Sequence, residues 1–520
     1  MELLLQIIPV FLLLIISIII IIIIFSPKKW APRGRKKPGR QLAPAPGWRL
    51  PVIGHLHHFI TSRQPPHRLL RELSRKHGDV IRLELGEISH VLISSAEAAM
   101  EVMRTHDVKF AQRPPYPHYE KVVYGGMDLI QAPYGDYWRQ LRRVATLELL
   151  TAKRVRSLRR VREAEVRTLV ASIAASAPGA TIDLTRMLFS FTYRIISMST
   201  FGDVSRGQEE FIKVAEKLVE YAGGFKVAYL FPSNALVQML SGTEEFLDGI
   251  QKVIDGLAES MIGQHQARRA AQGGKSRSEE EDLLDVLLNL QENGDTLGFH
   301  LSTDAVKGFL LDIFLAGSET PAALIEWTMS ELIKNPEVMY KAQSEVRRVF
   351  GGKGRVEEAG ICELAYLKLV IKETLRLHTP APLVLPRECR EECRISGYDV
   401  PLKTRILVNA WAIARDPRYW GEEAENFLPE RFLNNKVSFR GGDFEFLPFG
   451  AGRRMCPGMT FGLAAAELPL ASLLFHFDWE LPRGVEPTSF NMDEKFGVTL
   501  RRENHLELIP VVRYNPLPSI

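Results

Sequence analysis

Residues 449–458 read Phe-Gly-Ala-Gly-Arg-Arg-Met-Cys-Pro-Gly, and this segment narrows the possible folds more than any other stretch of the chain. Gly450, Gly452 and Gly458 remove side chains from around Cys456, so backbone N–H groups can approach its sulfur. Pro457 and the Ala-rich run beyond Gly458 predict a helix starting beside the thiol, and a helix N-terminus favours a thiolate. A lone buried cysteine usually packs as a small apolar side chain. In this frame of glycines and arginines Cys456 reads as a ligand instead.

The rest of the chain can build a large core around such a site. It has 520 residues, of which 46% are hydrophobic and 25% charged, which excludes collagen-like and wholly disordered chains. Four cysteines are too few for a disulfide framework at this length, so a reducing compartment is expected. The net charge of +4 is local, because seven basic residues lie within 28–40. With those set aside the balance turns slightly acidic, and a nucleic-acid protein is not expected.

Residues 3–25 are almost unbroken Leu, Ile, Val and Phe, interrupted only by Gln6, Pro9 and Ser17. As a helix they span roughly 35 Å, enough for a bilayer's hydrocarbon core. No charged region precedes the run and no small-residue cleavage site follows it, so a retained anchor is expected in preference to a signal peptide. Lys28, Lys29, Arg33, Arg35, Lys36, Lys37 and Arg40 follow at once, which places the remainder on the cytosolic side. Residues 26–51 form a basic, proline-rich linker, its prolines 44, 46 and 51 stiffening the approach to the body.

Residues 52–520 show no repeat and read as one mainly α domain with small peripheral β-sheets, an α+β arrangement. Helical periodicity covers residues 140–172, 209–221, 243–271, 280–291, 303–334, 336–350, 364–378 and 460–477. Strand-like runs fall at 80–85, 90–93, 394–395, 405–409 and 505–510, and residues 268–281 read as an exposed loop.

The pattern F-x-x-G-x-R-x-C-x-G resembles the haem–thiolate loop of the cytochrome P450 family. The resemblance implies a P450 fold preceded by one N-terminal transmembrane helix, with Cys456 as the axial iron ligand and Arg454 on a haem propionate. Other residues match further family motifs. Trp138 and Arg142 match W-x-x-x-R, and Arg387 matches another propionate-binding arginine. Glu373 and Arg376 match E-x-x-R, which in the family forms a structural triad with a downstream arginine, here Arg431. Residues 316–320, Ala-Gly-Ser-Glu-Thr, match the distal motif, where Gly317 leaves room for dioxygen and Glu319 and Thr320 supply protons. Two departures are expected to act locally: Thr379 where a proline is usual, and Pro321, which should kink the distal helix.

Residues 110–114, 132–139 and 386–390 look like the plant A-type members of the seventy-one family group, which implies specialised metabolism, with terpenoids the nearest analogy. The family's substrate-contacting regions map to 114–127, 225–239, 306–319, 383–385 and 496–500. They offer Tyr116, Tyr119, Phe225, Leu230, Phe231, Phe309, Ile313, Val384, Leu385 and Val498, an apolar lining centred on Phe309, Ile313, Val384 and Val498. No dinucleotide fingerprint is present, so electrons must come from a separate NADPH–cytochrome P450 reductase, docked by the ten Lys and Arg of residues 138–167. The implied protein is an endoplasmic-reticulum monooxygenase using O2, its catalytic domain cytosolic. A haem-dependent isomerase or dehydratase and an inactive membrane scaffold are the alternatives; the intact Glu319, Thr320, Arg454 and Cys456 weigh against both. Cys389 and Cys393 lack the further ligands zinc needs, and His55, His57 and His58 carry no assigned chemistry.

Overall fold

The computed structural model describes residues 39–202, 208–222, 226–271, 281–293 and 299–515. Residues 3–25, the basic residues 28–37, Phe225 and most of the 268–281 loop lie outside them. The described chain is mainly helical, with four small sheets.

Seven helices carry the site: α1 (Asp136–Val144), α2 (Arg159–Ala174), α3 (Leu184–Phe201), α4 (Thr303–Lys334), α5 (Pro336–Phe350), α6 (Ala365–Leu377) and α7 (Met459–His476). Helix α4 is the spine. Its 32 residues run about 48 Å. Ser302 caps it by accepting the Ala305 N–H at 3.2 Å, and Asn335-Pro336 ends it. It is buried on most sides because α3, α6 and α7 pack against it. Helices α4 and α7 are each long and apolar enough to cross a membrane, yet both are mostly buried in the protein core.

The eight strands that matter here are β1 (Val80–Leu85), β2 (Ile88–Ile93), β3 (Arg387–Glu388), β4 (Cys393–Ile395), β5 (Tyr398–Val400), β6 (Arg405–Val408), β7 (Glu494–Lys495) and β8 (Arg501–Arg502). The largest sheet runs β1-β2-β6-β3, with β2 and β6 parallel and the outer pairs antiparallel. β4 pairs with β5, and β7 with β8, as two antiparallel ribbons.

One expectation changes. The single helix expected over 140–172 is broken: a π turn at Ala145–Leu149 leads to Leu150, and the chain restarts where Thr151 accepts the Arg154 N–H at 3.0 Å. Pro321 lies inside α4, which runs over 303–334 as expected.

Candidate active site

Cys456 sits one turn before α7, its N–H donating to the Phe449 carbonyl at 3.0 Å. Gly452 has φ +69° and lies so close to Met103 that a Cβ would collide with the Met103 carbonyl. Only glycine fits there. Burial pushes the Cys456 thiol up, against the lowering effects of the Gly458 N–H and the Arg142 guanidinium. The helix start therefore does not by itself make a thiolate, as the sequence suggested; a bound metal ion would have to displace the proton. The side chain is nonetheless accessible.

Helix α4 carries an open surface of its own. Within its buried run, Ile313, Ala316, Gly317 and Thr320 keep exposed surface. Their spacing, i, i+3, i+4 and i+7, makes one open stripe. The Thr320 hydroxyl donates to the Ala316 carbonyl at 2.7 Å. Glu319 turns away from the stripe, buried and ion-paired with Arg501 of β8, whose guanidinium lies 4.4 Å from the Phe189 ring centroid. The acid and the alcohol thus point to different surroundings. Gly317 also has a second duty, since a Cβ there would come within 2.5 Å of Ile196 Cδ1 on α3.

Four arginines crowd beside the cysteine loop. Arg454 donates to the carbonyls of Ala111 (2.8 Å), Leu129 (3.3 Å) and Ala132 (2.6 Å), and stacks 4.3 Å from the Trp138 ring centroid. The Trp138 indole N–H donates to the same Leu129 carbonyl at 3.1 Å. Arg387 donates to Asp107 at 3.0 Å and to the Ala451 carbonyl at 2.7 Å, while its buried Nε has no partner. Arg113 holds the carbonyls of Ile130, Leu385 and Pro386. Arg142 lies near the Cys456 sulfur and has no carboxylate partner among the described residues. Burial and then the charges of Arg387 and Arg142 pull Arg454 down to about 9, and burial with Arg454 and Arg387 holds Arg113 well below its ordinary value. So many cations around an unpartnered Arg387 Nε fit a cofactor edge bearing two carboxylates, as haem propionates are. Arg113 went unassigned in the sequence, although the Phe-Ala-Gln-Arg-Pro stretch contains it.

Sequence reading also missed Asp128 and Asp312. Asp312 on α4 accepts the N–H groups of Leu129 (2.7 Å) and Ile130 (3.1 Å), which fixes the loop whose carbonyls hold Arg454 and Trp138. Nothing in the local pattern marks either acid.

Glu373, Arg376 and Arg431 meet. Glu373 accepts from Arg376 at 2.7 and 2.8 Å and from Arg431 Nε at 2.9 Å, and Glu373 and Arg376 are fully buried. The Thr379 hydroxyl donates to the carbonyls of Leu375 and Arg376 at the end of α6. Of the pocket residues, Phe309 is buried in the main core, whereas Ile313, Val384 and Val498 are half-buried. Val384 has φ +50°, a strained conformation for a β-branched residue, and its Cγ1 would lie 3.7 Å from a Cβ at Gly450.

On the outer face, Arg143, Lys153, Arg156, Arg160 and Arg167 are exposed, with no acidic partner among the described residues. Arg139, Arg154, Arg159 and Arg162 pair with Asp136, Glu281, Glu163 and Glu358.

A Gly-framed, exposed cysteine beside a cluster of arginines, together with an open stripe on α4, fits a haem–thiolate protein. A sequence model described as Cytochrome P450 matches residues 44–507, and the chain belongs to that family. It is a cytochrome P450 monooxygenase. It is 49% identical over 472 residues to desmethyl-deoxy-podophyllotoxin synthase of Sinopodophyllum hexandrum, covering 91% of this chain and 92% of that protein. It is 48% identical to cytochrome P450 71D10 of Glycine max, covering 91% and 92%. Germacrene A hydroxylase of Saussurea costus is 45% identical, covering 92% and 95%. A zebra fish cytochrome P450 solved with abiraterone superposes with a TM-score of 0.71 at 25% identity, over 87% of this chain and all of that one.

Proposed function

We propose that the protein is a membrane-anchored monooxygenase that oxidises an apolar plant specialised metabolite, a terpenoid. The observation that carries this reading is the open stripe Ile313-Ala316-Gly317-Thr320, apolar apart from one hydroxyl, on a helix mostly buried between its ends. Walls of this kind gain affinity by excluding water and offer nothing to pair a multiply charged substrate. The name of the germacrene A hydroxylase relative supports the terpenoid class.

Haem, held by Cys456, would supply oxidation of a C–H bond with O2 as oxidant. Arg454, Arg387, Arg142 and the Trp138 indole would hold its propionate edge. Thr320 presents the one hydroxyl on the stripe and can hold or pass a proton there by turning from the Ala316 carbonyl. Glu319, paired with Arg501, is the nearest acid in sequence to resupply it. Residues 3–25 anchor the chain in the endoplasmic reticulum, with residues 52–520 as the cytosolic domain. The unpaired basic side chains of residues 143–167 dock an NADPH–cytochrome P450 reductase.

Membranes containing the full chain and the reductase should convert members of a sesquiterpene panel in an NADPH-dependent way. Cys456→His should abolish both turnover and the thiolate Soret band of the reduced carbon monoxide complex. Conversion of apolar phenolics alone would refute the terpenoid class. Conversion of sugar conjugates alone would refute the apolar pocket.

A further inference from the structure

We propose that Cys389 and Cys393 form a peroxide-oxidised dithiol, a modification site separate from the haem–thiolate centre. The two residues bracket the turn between β3 and β4. Cys393 is the register partner of Val400 on β5, and the Cys389 Sγ reaches the Val400 carbonyl at 3.8 Å and the Glu391 carbonyl at 3.1 Å. Antiparallel partners sit about 5 Å apart at Cα, so both side chains converge on Val400. Cys393 packs against the buried cluster that holds both Cys389 and Val400.

Their surroundings differ in a useful way. Cys389 is fully buried, and its neighbour's thiol together with burial pushes its own thiol up. Cys393 is half-buried; the Cys389 thiol and the Lys109 ammonium pull it down. Lys109 is kept there by Glu391, at 2.9 Å. A half-buried thiol whose ionisation is favoured, packed beside a fully buried one, is the arrangement of an attacking and a resolving cysteine.

The chemistry closes with hydrogen peroxide as oxidant. The Cys393 thiolate attacks one peroxide oxygen; an S–O bond forms, the O–O bond breaks and hydroxide leaves. Sulfur is oxidised by two electrons and peroxide is reduced. The Cys389 thiol then attacks the sulfenic sulfur; an S–S bond forms, the S–O bond breaks, and water carries off the hydroxyl with the Cys389 proton. A reducing dithiol reverses the change by exchange. The linkage bears on the haem side of the fold, because Arg387 precedes Cys389 by two residues on β3 and donates to the Ala451 carbonyl beside the cysteine loop.

The test treats the full-length, haem-loaded protein with equimolar hydrogen peroxide, then alkylates, digests and maps peptides by mass. The peptide holding both residues should lose two hydrogens and both alkylation sites, and dithiothreitol should restore them. Cys362, an exposed thiol whose Sγ donates to the Ala359 carbonyl at 3.4 Å, serves as the internal control. In Cys389→Ser, Cys393 should persist as a sulfenic acid that dimedone traps; in Cys393→Ser, Cys389 should stay reduced. The reduced carbon monoxide spectrum reports that each variant is folded. Consumption of Cys362 while the pair remains alkylatable would overturn the proposal, as would over-oxidation of Cys393 with Cys389 intact.

Discussion

Asp128 and Asp312 lie together in the interior, at the junction between α4 and the loop that holds Arg454. Two carboxyls in one dry site cannot both ionise cheaply. Burial raises Asp128 from 3.8 to about 6, and burial with the Asp128 charge holds Asp312 well above its ordinary value. The folded state therefore binds protons that the unfolded chain releases. This contribution is fully present below the ordinary aspartate range and is lost as pH rises through about 6 and beyond. Protection of the Leu129 and Ile130 amides, corrected for intrinsic exchange, should fall between about pH 5 and about pH 8. Asp128→Asn should flatten that fall. Protection that stays constant with pH in the parent protein would disprove the shared proton.

Glu373 is expected to matter through folding. It accepts from both guanidiniums and from the Leu428 N–H at 2.9 Å. Arg376 goes on to the carbonyls of Ala414 and Ala424, so one carboxylate pins the stretch leading to the cysteine loop. Removing one member of a buried pair costs about 3–5 kcal/mol, because a charge is left uncompensated. Glu373→Ala should express with little haem incorporated and a much lower melting temperature. Wild-type haem content would show that the carboxylate is dispensable.

Elements with strong end signals were legible in the sequence. Residues 303–334 and 336–350 carry the same ends in the structure, set by Ser302 and Pro336, and the strand at 80–85 matches as well. Helix α3 was missed. Its exposed polar stripe is narrow, Arg186, Ser190 and Arg194, and the rest is rich in Ser, Thr, Phe and Ile, so the helical period is weak in the sequence. Cys456, Arg454, Arg142 and Trp138 were legible because each lies in a short local motif. Asp128 with Asp312, and Glu319 with Arg501, were not, since each pair is made by distant segments that only the tertiary fold brings together.

Thr320 should govern how reducing equivalents are used. Its hydroxyl is satisfied within α4 and its side chain lies on an open surface, so truncation costs about 0.5 kcal/mol or less in stability. Thr320→Ala should keep the thiolate spectrum while product per NADPH falls and hydrogen peroxide rises. Arg501→Ala leaves Glu319 buried without its cation and should shift the pH profile of coupling. Unchanged coupling in Thr320→Ala would remove the hydroxyl from proton delivery.

Gly317 has two candidate reasons to be small, and a double-mutant cycle separates them. A Cβ there meets only Ile196, at 2.5 Å from Cδ1 and 3.2 Å from Cγ1. Overpacking of this kind costs about 1–3 kcal/mol. Ile196→Val removes Cδ1 and by itself costs about 0.5–1.5 kcal/mol. If the close approach of α3 is what excludes a side chain, Gly317→Ala should destabilise strongly alone and much less beside Ile196→Val. Thermal or denaturant unfolding should then give a favourable coupling of about 1 kcal/mol, above the ~0.3–0.5 kcal/mol scatter of independent sites. Coupling within that scatter would mean that α3 tolerates the methyl group. The need for glycine would then come from the open stripe that Gly317 shares with Ile313, Ala316 and Thr320, and would be read as lost turnover without lost stability.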